Sequence, residues 1–346
     1  MEQPKVAVAI LNYNGLHWLT QFLGDVVNNS RNLGQVYVID NASSDASVRY
    51  VSENHPEVRI IRNPHNSGYT GGYNYGMQQL REELVVLLNS DVEVTPGWLN
   101  PLVERFNADE NLAALQPKIL DQKQRQFFEY AGGAGGFIDW LGFPFCRGRI
   151  FQELEKDEGQ YDKDSEIFWA SGACLAVRRR MFIEAGQLDP LFFAHFEEID
   201  LCWRLRRNGW KVAYTHESVV YHVGGGTLSN LNPKKTYYNF RNNLFVLFKN
   251  LPWGWLWPVI FARLVMDGLA GVLFMVQGKP AHTIAVIRAH FSFYRHYRQL
   301  HHRRKSLQHL PRVWPLRDVY RGSVAMAFFI KGKKKFSQLK PEKLLH

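Results

Sequence analysis

Residues 84–88, Leu-Val-Val-Leu-Leu, form an uninterrupted apolar run of strand length that ends in Asn89-Ser90-Asp91-Val92-Glu93. A run without polar alternation reads as a strand buried on both faces, as in parallel sheets. Ligands of open α/β sheets are met at the carboxyl ends of such strands. Asp91 and Glu93 therefore stand where a metal or a phosphate would be bound, and the rest of the chain is constrained by that edge.

Upstream, strand and helix signals alternate. Lys5–Leu11, Gln35–Asp40 and Val58–Arg62 read as strands, and Trp18–Val27, Ala46–Asn54 and Gly72–Glu82 as helices. This spacing predicts an α/β fold with a mostly parallel, doubly wound sheet. Each strand ends in polar residues: Asn12-Tyr13-Asn14-Gly15, Asp40-Asn41-Ala42-Ser43-Ser44-Asp45 and Asn63-Pro64-His65-Asn66-Ser67-Gly68. In any single loop these residues are ordinary turn chemistry. Four strands ending this way at one edge point instead to a ligand crevice. Asp40 is placed to accept hydrogen bonds from a ribose or base. Gly68 and Gly72 precede or open a helix, where backbone N–H groups can approach a diphosphate. Neither a P-loop nor G-x-G-x-x-G is present, which removes most of the case for a dehydrogenase.

In order and spacing, Leu11–Gly15, Val38–Asp45, Asn66–Asn74 and Leu88–Asp91 resemble family 2 glycosyltransferases of the GT-A fold, with the bacterial rhamnosyltransferase-like branch the nearest in pattern. The likeness runs from about Val6 to Asn243. It implies that Asn89-Ser90-Asp91 stands for the family's Asp-x-Asp motif, with Asn89 replacing the first acid and Asp91 meeting Mg²⁺ or Mn²⁺. One carboxylate with diphosphate oxygens and water suffices for such oxygen-preferring ions. It further implies that Leu11, Asn12, Tyr13, Asp40, Asn66, Gly68, Gly72, Asn89 and Ser90 bind the nucleotide-sugar. Trp169 and Gly172, in the small-residue strand behind the donor sugar, and Arg241, opposite the diphosphate or bracing the fold, join them.

The second cluster of acids is Glu197-Glu198-Ile199-Asp200, after the aromatic run Phe192-Phe193-Ala194-His195-Phe196. Acids in a first helical turn are ordinary partners of the helix dipole. The resemblance assigns Glu198 as general base, with Glu197 competing, and leaves Asp200 to pair with an Arg or cap the helix. A carboxylate beside an aromatic wall has a raised pKa, which suits a base near neutrality. His222 ends a strand before the glycine loop Gly224-Gly225-Gly226, and the resemblance makes it the second metal ligand, with His216 structural. The middle region, 116–167, is glycine-rich and polar and carries no clear element signal.

Charge divides the chain. Residues 288–346 hold 15 Lys+Arg and 2 Asp+Glu, a balance of +13, leaving 27 and 30, or −3, for residues 1–287. The segment 255–276 is apolar but holds Arg263 and Asp267, which favours a helical hairpin lying at an interface over a clean span; a core helix or a homo-oligomer contact are the alternatives. The expected organisation is a GT-A catalytic domain, 1–243, and a helical, membrane-associating extension, 244–346. Trp residues and the clusters 301–305 and 331–335 would tether it to an anionic membrane surface. The three separated cysteines give no disulfide or zinc pattern, and the N-terminus shows no secretory signal, so a cytoplasmic, peripheral location is expected. The expected partners are a dTDP- or UDP-linked sugar donor and a glycan or lipid-linked acceptor. The rivals are a nucleotidyltransferase on the same edge, and a scaffold or nucleic-acid-binding protein; no nucleic-acid recognition motif is present.

Overall fold

The computed structural model describes residues 6–224, 232–312 and 314–339. In chain order the first elements are β1 (Val6–Asn12), α1 (Leu16–Ser30), β2 (Gly34–Asp40), α2 (Ser47–Asn54), β3 (Arg59–Arg62), α3 (Gly68–Gln79) and β4 (Leu84–Asn89). These are the elements that the sequence pattern predicts, with ends moved by a few residues. They form one parallel block, β3-β2-β1-β4, with Val8 opposite both Val36 and Val86. Burial on two faces explains the unbroken apolar runs. Val8, Ile10, Val86 and Leu88 pack against α1, while Ala7, Ala9, Val85 and Leu87 face the other way, toward Tyr73 and Met77 of α3.

The sheet then becomes mixed. After β5 (Val92–Val94) and α4 (Leu99–Ala108) comes β6 (Leu112–Asp121). Next are β7 (Gly136–Asp139), β8 (Pro144–Cys146), β9 (Arg149–Ile150), β10 (Glu153–Leu154), β11 (Ser165–Glu166) and β12 (Cys174–Arg178). Strand β12 enters antiparallel between β4 and β6. Following α5 (Arg179–Glu184) and α6 (Glu197–Arg207), the long β13 (Lys211–His222) runs parallel to β6 and carries β5 antiparallel on its end. The expectation of a mostly parallel sheet thus holds for the first half, and antiparallel insertion completes nine strands.

The C-terminal region is helical: α7 (Pro233–Asn250), α8 (Trp253–Val276), α9 (Pro280–Arg295), α10 (Tyr297–Ser306), then β14 (Val319–Tyr320) and α11 (Val324–Phe329). It is not appended to a finished domain. The expected division after Asn243 falls inside α7, whose buried residues run from Arg241 to Asn250. Strand β14 pairs with β7 and completes a second, five-stranded sheet, β10-β9-β8-β7-β14. The buried Asp139 carboxylate accepts from the amides of Leu141, Phe143 and Val324 and so fastens α11 to this sheet. Several tail cations are likewise spent inside the fold. Arg304 is buried, donating to the Phe248 carbonyl and stacking on Trp253, and Arg312 donates to the Arg304 carbonyl at 2.5 Å, whereas Lys334 meets Glu153 at the surface.

Candidate active site

The turn after β4 meets the end of β13, because β5 folds back to pair with the last residues of β13, His222 opposite Val92. This brings Asp91 Oδ1 within 3.2 Å of His222 Nε2, both side chains nearly buried. The two residues expected to hold a metal are therefore neighbours. Two ligands on adjacent octahedral positions at about 2.1 Å from an ion lie about 3 Å apart, so the observed separation fits a Mg²⁺- or Mn²⁺-sized cation. Among the described residues no cluster of three His, Cys, Asp or Glu side chains is assembled for an ion. The remaining ligands would have to come from diphosphate and water.

Behind His222 stands Glu129, which sequence reasoning missed. Its Oε1 lies 3.3 Å from His222 Nδ1, in poor alignment for a hydrogen bond, while its Oε2 accepts from the Ala131 amide. Burial opposes protonation of the imidazole, but Glu129 and Asp91 on either side push it up to about 10. A carboxylate on the far nitrogen is the usual device for orienting a metal-bound histidine. Nothing in the glycine-rich segment around Glu129 signals this role.

Helix α6 supplies the second centre. Glu197 and Glu198 occupy its first turn, and in each an Oε2 atom is enclosed without a hydrogen-bond partner. Burial pushes Glu198 up to about 7 against the lowering effect of backbone amides, and burial with the Glu198 charge holds Glu197 well above the carboxylate range. Asp200 is different. Burial would raise it, yet Lys249 and Arg204 hold it down at about 2. It meets Arg204 Nε at 2.9 Å, Lys249 Nζ at 2.8 Å and Asn250 Nδ2 at 3.0 Å, so its place is structural.

Two tyrosines of α3 stand between the neighbourhoods of the two centres. Tyr69 and Tyr73 pack edge to face at 4.8 Å; the Glu197 and Glu198 charges act on Tyr69, and the Asp91 charge acts on Tyr73. On the other side Cys146 lies in the field of both Glu129 and Glu198. Tyr69 also donates to the Gly172 carbonyl at 2.8 Å, tying α3 to the turn before β12. The approach to α6 is a loop in which Phe193, His195 and Phe196 all have positive φ. Such residues cost about 1–3 kcal/mol each unless their surroundings impose them. Here Asn242 Nδ2 reaches the carbonyls of Phe192, Ala194 and His195, and Arg241 donates to those of Leu191 and Phe192. Gly68, itself at φ 72°, lets the Phe193 ring lie where a Cβ would be.

The residues expected to bind the nucleotide-sugar separate into two groups. Tyr13 is exposed, and Leu11, Asn66, Asn89, Ser90 and Gly172 line the edge with at least partial access. Asp40 is nearly buried and accepts from Asn12 Nδ2 at 3.2 Å and from the Ser43 amide. The others are turned inward. Asn12 is fully buried and its amide also reaches Ser43 and Ser47, so it holds the loops together rather than facing a ligand. Gly72 gives clearance to Leu11, whose Cδ1 would lie 2.5 Å from a Cβ. Trp169 is buried with its Nε1 on the Phe137 carbonyl, and the Arg241 guanidinium is spent on the loop carbonyls. Glu93 is held by Arg125 Nη2 at 2.6 Å, and His216 by Asp164 at 2.9 Å. The loop beyond Gly224 lies outside the described residues.

The mixed nine-stranded sheet, with polar side chains gathered at its strand ends, has the GT-A architecture. Residues 7–186 match Glycosyl transferase family 2, and the chain belongs to that family; it is a glycosyltransferase. That match sets aside the nucleotidyltransferase and scaffold readings. The chain is 28% identical over 232 residues to the N-acetylglucosaminyl-diphospho-decaprenol L-rhamnosyltransferase of Mycobacterium tuberculosis, covering 62% of this chain and 74% of the relative. It is 24% identical over 206 residues to a low-salt glycan biosynthesis hexosyltransferase of Haloferax volcanii, 58% and 62% of the two chains. The fold is similar to GalNAc-T7 crystallised with UDP, GalNAc and Mn²⁺, with TM-score 0.56, 19% identity, and 73% of this chain against 49% of that one, about half its length. It is also similar to a Pyrobaculum calidifontis mannosyltransferase with GDP-Man and Mn²⁺, with TM-score 0.52, 13% identity, and 85% and 88% covered.

Proposed function

We propose that this chain is an inverting, divalent-metal-dependent glycosyltransferase that moves a sugar from a nucleoside diphosphate to a hydroxyl of a lipid-linked cell-envelope glycan. The reading is carried by the enclosed carboxylates that open α6, with burial raising Glu198 to about 7, on a chain that also sets Asp91 3.2 Å from His222. Glu198 takes the proton of the acceptor hydroxyl while that oxygen attacks the anomeric carbon. The bond to the diphosphate oxygen breaks in the same step and its electron pair leaves with the diphosphate. Asp91 and His222 would hold Mg²⁺ or Mn²⁺, whose chemistry when bound is to neutralise the departing diphosphate. The Mycobacterium tuberculosis relative's name motivates a diphospho-polyprenol acceptor and a rhamnosyl donor, dTDP-linked in our reading, with the reaction at the cytoplasmic face of a membrane.

A base must be ionised, so turnover rises with pH through about 7 and levels off above it. The Glu198→Gln enzyme loses about 10²–10⁴-fold in kcat while keeping donor and Mn²⁺ binding by calorimetry. Wild-type turnover in that variant, with loss in Glu197→Gln instead, would move the base to Glu197.

A further inference from the structure

Helices α8 and α9 form an antiparallel hairpin with one face on the protein and the other bare. On the inner face Arg263 and Asp267 pair at 3.2 Å, Arg263 lies over the Phe143 ring, and His290 of α9 reaches Asp267 at 3.4 Å. Thr283 donates to the Gly271 carbonyl, closing the hairpin near its tip. Buried positions of α8 run from Leu256 to Gly271, so the body of the protein covers one side of the helix along most of its length. Helix α8 is long and apolar enough to cross a bilayer, and with its inner side packed on the protein it can meet lipid along its outer face.

The outer face of α8 is Trp257, Phe261, Val265, Leu269, Val272 and Val276, a stripe at helical spacing with Phe261 70% and Val276 80% exposed. Soluble monomers seldom leave so long a contiguous apolar face open to water. On α9 the exposed Ile284, Ile287, Phe291 and Tyr294 alternate with exposed Arg288 and Arg295, and Arg298 of α10 continues the row. From residue 268 to 317 the sequence has 9 Lys+Arg and no acid. These three arginines have no carboxylate partner among the described residues.

We propose that this hairpin face lies in the plane of an anionic lipid surface, its apolar stripe in the acyl boundary and Arg288, Arg295 and Arg298 among the lipid phosphates. A second copy of the chain is the poorer occupant. A two-fold contact through this face would set the arginines of one copy near those of the other, with no acid on α8–α10 outside the buried Asp267 to relieve them. The assignment adds these arginines to the clusters at 301–305 and 331–335, of which Arg304 is turned into the fold.

Helix α7 connects this face to the site. Its Tyr238 stacks on Phe193 at 5.9 Å, in the loop before Glu197, and its Phe240 meets Phe274 near the hairpin tip. Thr236 contacts His282 at the start of α9. The docked tip thus lies by the active-site loop, where a lipid-linked acceptor would rise from the leaflet. Docking stands on the surface alone; delivery of the acceptor rests on the proposed function.

The test is partition of the full chain onto phosphatidylcholine vesicles with and without phosphatidylglycerol, read by sedimentation and by quenching of Trp fluorescence with brominated lipids. Wild type should prefer the anionic vesicles, and the Arg288→Gln, Arg295→Gln, Arg298→Gln triple variant should bind them about 100-fold more weakly. Leu269→Glu with Phe291→Glu should abolish binding to both, while transfer to a soluble acceptor analogue continues. Equal binding to the two vesicles, or retention by either variant, overturns the proposal. So does a wild-type dimer in light scattering that Phe291→Glu splits without any vesicle binding. A chain that binds vesicles but transfers no sugar refutes the proposed function and leaves the docking face standing.

Discussion

Glu129 stands behind His222, its Oε1 3.3 Å from Nδ1, while Nε2 faces Asp91, and we expect it to orient the ring. The Glu129→Gln protein should bind Mn²⁺ about 10–100-fold more weakly, read by electron paramagnetic resonance in the absence of donor. Its circular dichroism should stay native, since the amide can still accept from Ala131. The contrast with Asp91 shows what a sequence discloses at this scale. Asp91 follows an apolar run and is legible because strand ends collect ligands. Glu129 follows a strand too, yet it reaches His222 through a turn whose path depends on the register of β6 against β13, which no local pattern encodes. The same holds for Asn12 and Arg241: both were legible as polar residues near the edge, but whether such a side chain faces ligand or backbone is decided by neighbours distant in sequence.

At the scale of elements, the βα alternation up to β4 was readable because β1, β2 and β4 are apolar runs buried in the sheet, with the shorter, more exposed β3 marked by Ile60-Ile61. The second sheet was not. Its strands are two to four residues long, and its last member, β14, arrives from the far end of the chain. The loop 192–196 belongs with it, since its conformation is imposed from α7 by Asn242. Asn242→Ala leaves three carbonyls without that donor and should destabilise the protein by about 1–3 kcal/mol. Because the loop sets the start of α6, kcat should fall more than the melting temperature alone explains, with Mn²⁺ affinity unchanged. Loss of metal affinity in equal measure would show that the loop supports the whole edge.

For the whole molecule, the connection that matters most is Lys249. From α7 it meets Asp189 at 2.6 Å and Asp200 of α6 at 2.8 Å, all three buried. Removing one partner of such a set leaves uncompensated charge, so Lys249→Met should cost about 3–5 kcal/mol. The sign of its pH dependence follows from Asp200. Its folded pKa, about 2, lies below the model-compound value of 3.8, so its stabilisation is present above that value and is lost as pH falls toward 2. With Lys249 gone the depression shrinks, and acid unfolding followed by circular dichroism should begin at higher pH than in wild type. An unchanged acid midpoint would mean that Arg204 alone holds Asp200 ionised.

The engagement of α6 with α7 through Lys249 has a geometric corollary. The helix that carries the proposed base and the helix on which the hairpin rests are locked together, and α7 is about 27 Å long. Such a strut sets a fixed height for the reaction above whatever plane the hairpin lies in. The enzyme would then act as a gauge, accepting the sugar that a tethered glycan holds at that height and passing over those nearer to or farther from the anchor.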